Sequence, residues 1–325
     1  MPPILLPIES STVAIQGEPG SFHDVVVRHS RLLINPRIVA CETFEEVHDK
    51  LNKHEVDFGF TALDNTVDGQ VQPSMQELLR NDDSFVVEML RALIRQYLAG
   101  HESFSSLDAL QEAGDSVRVI SHPKALGQAR VALRKILPHA ILEERNDTAG
   151  AMREVIERAG EPDRHGLRYV AIAGKMAVHK YRDQGAVAIL NDPVSPDNNY
   201  TTFALLSPEP LLNPWATDTA LHIKQPADHP GSLEEILRHM RRRDFDIRHP
   251  FARRSLGLNL SAIDSISEAR TAARYSFYMN VVAALTHSSV QTAIQQLERA
   301  GNAVRVIGSY SSSQIDDPEK ALLAV

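Results

Sequence analysis

The chain has 325 residues, enough for two domains or for one large domain with an accessory one. Apolar residues make up 43% and charged residues 23%, which excludes a disordered chain and fits a globular one. The net charge of −8 argues against a nucleic-acid binder, so an anionic ligand would have to be attracted locally. The single cysteine, Cys41, permits no internal disulfide, reads as a small buried hydrophobe and favours the cytoplasm. The opening MPPILLPIESS lacks a basic region and is broken by prolines, so no signal peptide is expected. No apolar stretch reaches the length of a membrane span.

In chain order, Val13-Ala14-Ile15 predicts a short strand, followed by the turn Gly17-Glu18-Pro19-Gly20-Ser21 and a helix-like run. Thr43 and Glu46 fit a Thr-x-x-Glu capping box, and Phe44, Val47 and Leu51 recur at helical spacing. Phe58-Gly59-Phe60-Thr61-Ala62-Leu63 predicts a strand, Asp64-Asn65-Thr66 follows, and Pro73 opens a helix over 74–80. Val117-Arg118-Val119-Ile120 is the next strand, Ser121-His122-Pro123 a turn, and 125–137 a helix stopped by Pro138. Ala140-Ile141-Leu142 is a strand, Asn146-Asp147-Thr148 caps a helix over 149–159, and 169–173 and 186–190 are further strands. Asn198-Asn199-Tyr200 leads into Thr201-Thr202-Phe203 and the apolar Ala204-Leu205-Leu206, a polar turn entering a strand. Alternating strands and helices imply a mostly parallel sheet, or two.

Pro208, Pro210 and Pro214 mark a linker. Beyond it, Ala220-Leu221-His222-Ile223 predicts a strand and Pro230-Gly231-Ser232 a turn into a helix over 233–243. Phe245-Asp246-Ile247 and 275–285 predict strands, 290–300 a helix, and 303–307 a last strand. This βαββαβ order is the ferredoxin-like pattern, two helices on an antiparallel sheet. The polar tail 311–325 is expected to be loose.

Four turns, 17–21, 64–66, 121–123 and 146–148, each follow a strand and precede a helix. Ligands of open parallel sheets bind outside the carboxyl ends of the strands, where helix starts present unpaired N–H groups. The expectation is a cleft for a small anion, lined by hydroxyls and amides. Each turn also has a purely local reading, as a tight turn, an Asx-turn or a cap. Residues 17–20 lack the spacing of a dinucleotide or Walker loop, and the 14 histidines show no paired metal-ligand spacing, so neither cofactor nor metal is expected. His122 reads as structural, and Arg241-Arg242-Arg243 as a solvated helix end.

Taken together, Gln16-Gly17-Glu18-Pro19-Gly20-Ser21-Phe22, Leu63-Asp64-Asn65-Thr66-Val67-Asp68-Gly69-Gln70-Val71, Ser121-His122-Pro123-Lys124-Ala125-Leu126-Gly127-Gln128, Asp147-Thr148-Ala149-Gly150-Ala151 and Asn199-Tyr200-Thr201-Thr202-Phe203 resemble the prephenate dehydratase family. The resemblance spans residues 12–310, and five motifs in order carry it. It implies a two-lobed, periplasmic-binding-protein-like α/β catalytic domain over 12–208, with the second lobe roughly at 92–186. The βαββαβ unit over 217–310 resembles an ACT regulatory domain. The implied reaction is the decarboxylative dehydration of prephenate to phenylpyruvate, with no cofactor. The implied catalytic residues are Thr201, Asn65 and Gln128. Gly20, Ser21, Asp64, Thr66, Ser121, Thr148, Ala149, Asn199 and Phe203 would bind the dianionic substrate. A phenylalanine effector would be met by Gly231, Ser232, Leu233 and Arg253, and the assembly would be a homodimer or homotetramer, apart from membrane and nucleic acid.

This chain departs from the family pattern. The family's Thr-Arg-Phe is Thr201-Thr202-Phe203, its Glu before Asn65 is Asp64, and its Gln after Ser-His-Pro is Lys124. Its regulatory Glu-Ser-Arg-Pro aligns with Phe251-Ala252-Arg253-Arg254, so feedback by phenylalanine is less secure than the reaction. Side chains alternate along a strand, so Thr201 and Phe203 should share one face and Thr202 the other. The competing readings are an arogenate dehydratase, a prephenate decarboxylase, and a non-catalytic anion-binding or regulatory homologue.

Overall fold

A computed structural model describes residues 7–104, 106–159, 166–226, 232–241, 261–264, 275–320 and 323. The chain divides into two compact units. One contains Leu79–Met89 and Leu206–Ser313; the larger contains Pro7–Leu78, Leu90–Leu205 and Gln314–Val325.

The larger unit has two lobes. In the first, Thr12–Gln16 lies between Arg37–Cys41 and Phe58–Asn65, all parallel, and Tyr200–Ser207 flanks Phe58–Asn65 on its far side. In the second, the strand order is Ile141–Glu144, Val117–Ser121, Arg168–Ala173, Tyr97–His101, Ala186–Ala188. The first three of these are parallel and the last two antiparallel. Val119 and Val170 pack with Leu126 and Leu133 of the Pro123–Ile136 helix. Their strand neighbours Ile120 and Ala171 pack with Met152 and Val155 of the Thr148–Glu157 helix. Alternation along the strands thus buries this sheet on both faces, as parallel sheets require. Parallel pairing also brings the carboxyl ends of Val117–Ser121, Ile141–Glu144 and Arg168–Ala173 to one edge.

Local chemistry starts the helices where expected. Thr43 Oγ1 accepts from the Glu46 amide at 3.1 Å, and Glu46 reaches back to the Glu42 amide at 2.8 Å. Asp147 caps the Thr148–Glu157 helix by accepting from the Gly150 amide at 2.7 Å. Pro123 sits in the first turn of its helix, where a missing N–H costs nothing.

The smaller unit has the strand order Ser261–Asp264, Tyr275–Val281, Asp218–Lys224, Ala303–Ile315, with antiparallel pairs throughout. Helices Ser232–Arg241 and Ser288–Arg299 cover one face around Leu221, Ile223, Ile236, Phe277, Val290 and Leu297. This is the ferredoxin-like arrangement. The strand beside Tyr275–Val281 is Ser261–Asp264, while Phe245-Asp246-Ile247 lies outside the described residues.

Three differences from the sequence reading stand out. Phe85–Leu93 and Tyr97–His101 form strands that the reading passed over, because both are nearly uniformly buried and show no two-residue alternation. Lys175–Lys180 is a short additional helix. Of the tail expected to be loose, residues 311–320 are instead ordered by partners: the last strand runs to Ile315, and Pro318 and Glu319 are buried. Charged tail residues remain ordered when, as here, their side chains find specific partners.

Candidate active site

The site is built where Phe58–Asn65 ends beside the start of Tyr200–Ser207. Asn65 is buried at the end of its strand. Its Nδ2 donates to Thr201 Oγ1 at 2.9 Å and to Asn199 Oδ1 at 2.8 Å. Its Oδ1 accepts from the amides of Val67 and Asp68 at 2.8 and 3.0 Å. Asn65 therefore uses both donor hydrogens and both acceptor directions on the protein. Asn199, fully buried, donates to Ile94 O at 3.1 Å and to Gln128 Oε1 at 2.8 Å. Gln128 in turn donates to Asp68 Oδ2 at 2.6 Å. Thr66 closes the edge: its amide donates to Tyr200 O at 2.9 Å, and its hydroxyl donates to Asn198 O.

Gln128 comes from the second lobe and the other members from the first or from the segment joining the lobes, so one polar chain spans the cleft. The three expected catalytic residues are brought together. Asn65, however, has no hydrogen left for a ligand, and its place is to hold Thr201. Thr201 Oγ1 accepts from Asn65, and its own proton has no acceptor among the described residues. Thr201 is half-buried, so that proton can reach a bound molecule.

The other expected site residues divide. Ser121 is fully buried and donates its hydroxyl to Ile172 O at 2.6 Å, so it ties two strands together and offers no donor to the cleft. Phe203 is a core residue: it stacks on Phe60 at 5.3 Å and meets His23 edge-on at 5.0 Å. Burial pushes the His23 imidazole down to about 3, which keeps it neutral among these rings. The Gly20 amide, in a turn with φ +93°, donates to Asp24 Oδ2 at 2.8 Å. Ser21 caps the Phe22–Val27 helix. Thr148 opens its helix, with Ala149 buried behind it.

Asp64 and Asn65 are successive strand residues and point to opposite sides. Burial pushes the Asp64 carboxyl up to about 6, against the Asn65 amide and the Arg91 guanidinium, which pull it down. His122 caps the Pro123–Ile136 helix through Nδ1, which accepts from the Lys124 amide at 3.2 Å, the structural role expected. Thr202, in the place of the family arginine, is buried, and its hydroxyl has no partner among the described residues. Of the allosteric candidates, Gly231 and Arg253 lie outside the described residues, Ser232 begins a helix, and Leu233 packs at the edge of the smaller unit's core.

The first-lobe turn at 17–21 rests against the second lobe. Arg153 Nη2 meets Glu18 Oε1 at 3.0 Å, and Lys180 Nζ donates to Pro19 O at 2.9 Å. Among the described residues no group of three or more His, Cys, Asp or Glu side chains could hold a metal, and no helix is long and apolar enough to cross a membrane.

A sequence model described as "Prephenate dehydratase" matches residues 13–211, more than half of the chain and the segment that carries this network. The chain belongs to the prephenate dehydratase family. A prephenate dehydratase of Bacillus subtilis (strain 168) is 27% identical over 285 residues, covering 85% of this chain and 90% of the relative. Among solved structures, a prephenate dehydratase from Arthrobacter aurescens in complex with L-Phe superposes with a TM-score of 0.75 at 20% identity, covering 92% of this chain and 90% of the other. GqqA, described as a novel type of quorum quenching acylase, superposes with a TM-score of 0.72 at 21% identity, covering 93% of this chain and 98% of the other. At such identities the two structures share the fold with this chain, and the site must be argued from its own residues.

Sequence reasoning missed Asp68 and the contact of Tyr200 with Asp316. Asp68 stood inside a quoted motif, but no local signal showed that it would anchor Gln128, 60 positions away.

Proposed function

We propose that this chain converts prephenate to phenylpyruvate, with the Thr201 hydroxyl as the donor to the departing group. The carrying observation is the unspent Thr201 proton at the end of a polar chain that satisfies every hydrogen of Asn65 and Asn199. In the reaction the ring carboxylate leaves as carbon dioxide and its bonding pair enters the ring. The C–O bond opposite breaks, and the departing hydroxide takes up a proton and leaves as water. Aromatisation drives the process, so the protein has to hold the dianion, favour departure of the hydroxyl and leave the departing carboxylate unclamped. A fixed neutral donor suits that better than a cation next to the carboxylate. Thr201 is a weak acid and acts by donating a hydrogen bond as charge develops on oxygen. Asn65 acts through Thr201 as a positioning residue, and Asn199 and Gln128 hold Asn65 in register.

An acyl-transfer reading has less support. A hydroxyl nucleophile needs a base within hydrogen-bond reach, and the group facing Thr201 Oγ1 is the Asn65 amide. We further infer that the smaller unit is an ACT module, which the βαββαβ order and the antiparallel sheet support. Its effector would be phenylalanine at Gly231, Ser232, Leu233 and Arg253, and Ser261–Asp264, the outermost of the described strands, would support a homodimer or homotetramer. Cytoplasmic location accords with the single cysteine.

Mixing the purified chain with prephenate, and separately with arogenate, tests the reading. Phenylpyruvate, followed by its absorbance in alkali, should accumulate from prephenate. Phenylalanine formed from arogenate alone would assign the amino substrate instead, and no turnover of either would overturn the enzyme reading.

A further inference from the structure

Residues 314–319 are held by side-chain and backbone partners along their length. Arg91 Nη1 donates to Gln314 Oε1 at 3.0 Å, and the Tyr200 hydroxyl donates to Asp316 Oδ1 at 3.0 Å. Arg95 donates to Asp316 O at 3.1 Å, and a His29 ring nitrogen lies 2.6 Å from Pro318 O. At the far end Glu319, only 4% exposed, accepts from the Met176 amide at 2.7 Å.

These partners belong to both lobes. Arg91, Tyr200 and His29 are first-lobe residues, and Met176 lies in the second-lobe helix Lys175–Lys180. Gly174, just before that helix, is where the contact closes. A Cβ there would lie 2.8 Å from Glu319 Oε1 and 2.9 Å from Cζ of Phe22, the first residue of the first-lobe helix Phe22–Val27. The position thus needs a glycine for close approach, because a carboxylate and a first-lobe ring press on one backbone. A buried carboxylate is retained only where it is hydrogen-bonded. Burial pushes the Glu319 carboxyl up to about 7 despite the Met176 amide and Lys175, with Asp317 adding to the rise, so the side chain is held inside rather than at a wet rim.

We propose that residues 314–320 form a strap across both lobes, with Glu319 as the positioning residue that pins it and holds the cleft closed. Asp316 holds the phenol of Tyr200, next to Thr201, and Glu319 holds the helix that follows the central second-lobe strand. The strap therefore fixes both walls without touching the Asn65 network. A lobe that opens less loses less binding energy on closing around a ligand.

Hydrogen exchange on the full chain tests this without substrate, so its outcome is independent of the reaction assigned above. In E319A, exchange over residues 22–29 and 174–180 should accelerate by at least about tenfold, while residues 12–16 keep their protection. E319Q, which retains the acceptor for Met176, should stay within about threefold of the parent in both segments. With prephenate, E319A should raise KM at least about threefold and leave kcat within about twofold. Parental exchange in either segment of E319A, an E319Q variant as labile as E319A, or an unchanged KM would overturn the strap.

Discussion

Two buried polar clusters, one in each unit, invite comparison. In the smaller unit Tyr310 donates to Asn280 Oδ1 at 2.5 Å, and Tyr278 donates to the same oxygen at 3.2 Å. Burial raises both phenols well above their ordinary range, so both keep their protons. All three side chains are buried, and each hydroxyl proton has an acceptor within the cluster. The network of Asn65, Asn199, Gln128 and Thr201 is also amide-rich and buried at its two asparagines, but it ends on a half-buried hydroxyl whose proton is left over. Polarity and burial are common to both. The unspent donor at a surface that a ligand can reach is what separates a candidate site from a structural network.

The sharpest way to break the contrast is Asn65→Ala. It should lower kcat by about 10²-fold by freeing Thr201 to rotate, with a smaller change in KM. Gln128→Ala, one link further from Thr201, should cost about tenfold in kcat and is measured in the same assay. Tyr310→Phe in the closed cluster should reduce stability by about 1 kcal/mol in denaturant titration and leave kcat unchanged. If Tyr310→Phe harmed turnover as much as Asn65→Ala, the distinction between the clusters would fail. The smallest effect concerns His222. Burial lowers its imidazole to about 4, and neither ring nitrogen has a partner among the described residues. The unfolded chain therefore binds the extra proton first, and stability contributed by neutral His222 is lost as pH falls from about 6.5 towards 4. Between pH 7 and 6 that loss is only about 0.7 kcal/mol, and His222→Phe should flatten it in paired melts.

The sequence disclosed those parts of the fold that rest on local chemistry. Thr43, Pro123 and Asp147 start helices because the groups they need lie within four residues, and the strand-to-helix turns follow from the same signals. The pairing of Asn65 with Thr201 was legible only through motif resemblance, since the two stand 136 positions apart. What stayed hidden is the fate of individual groups. Ser121 and Thr201 are both hydroxyls at strand ends, yet one donates to Ile172 O and the other keeps its proton. Phe203 could line a cleft or fill a core, and its stacking on Phe60 decides for the core. The tail read as loose because its residues are polar, and composition cannot show that Tyr200, Arg95, His29 and Met176 would supply partners.

The most direct measurement is the turnover of prephenate by Thr201→Ala and Thr201→Ser, beside the parent chain and at matched thermal stability. The serine variant keeps a proton to donate and should remain within about tenfold of the parent, whereas alanine should lose on the order of 10² or more in kcat. An alanine variant that turns over prephenate at near-parental rate would contradict the role given to this hydroxyl.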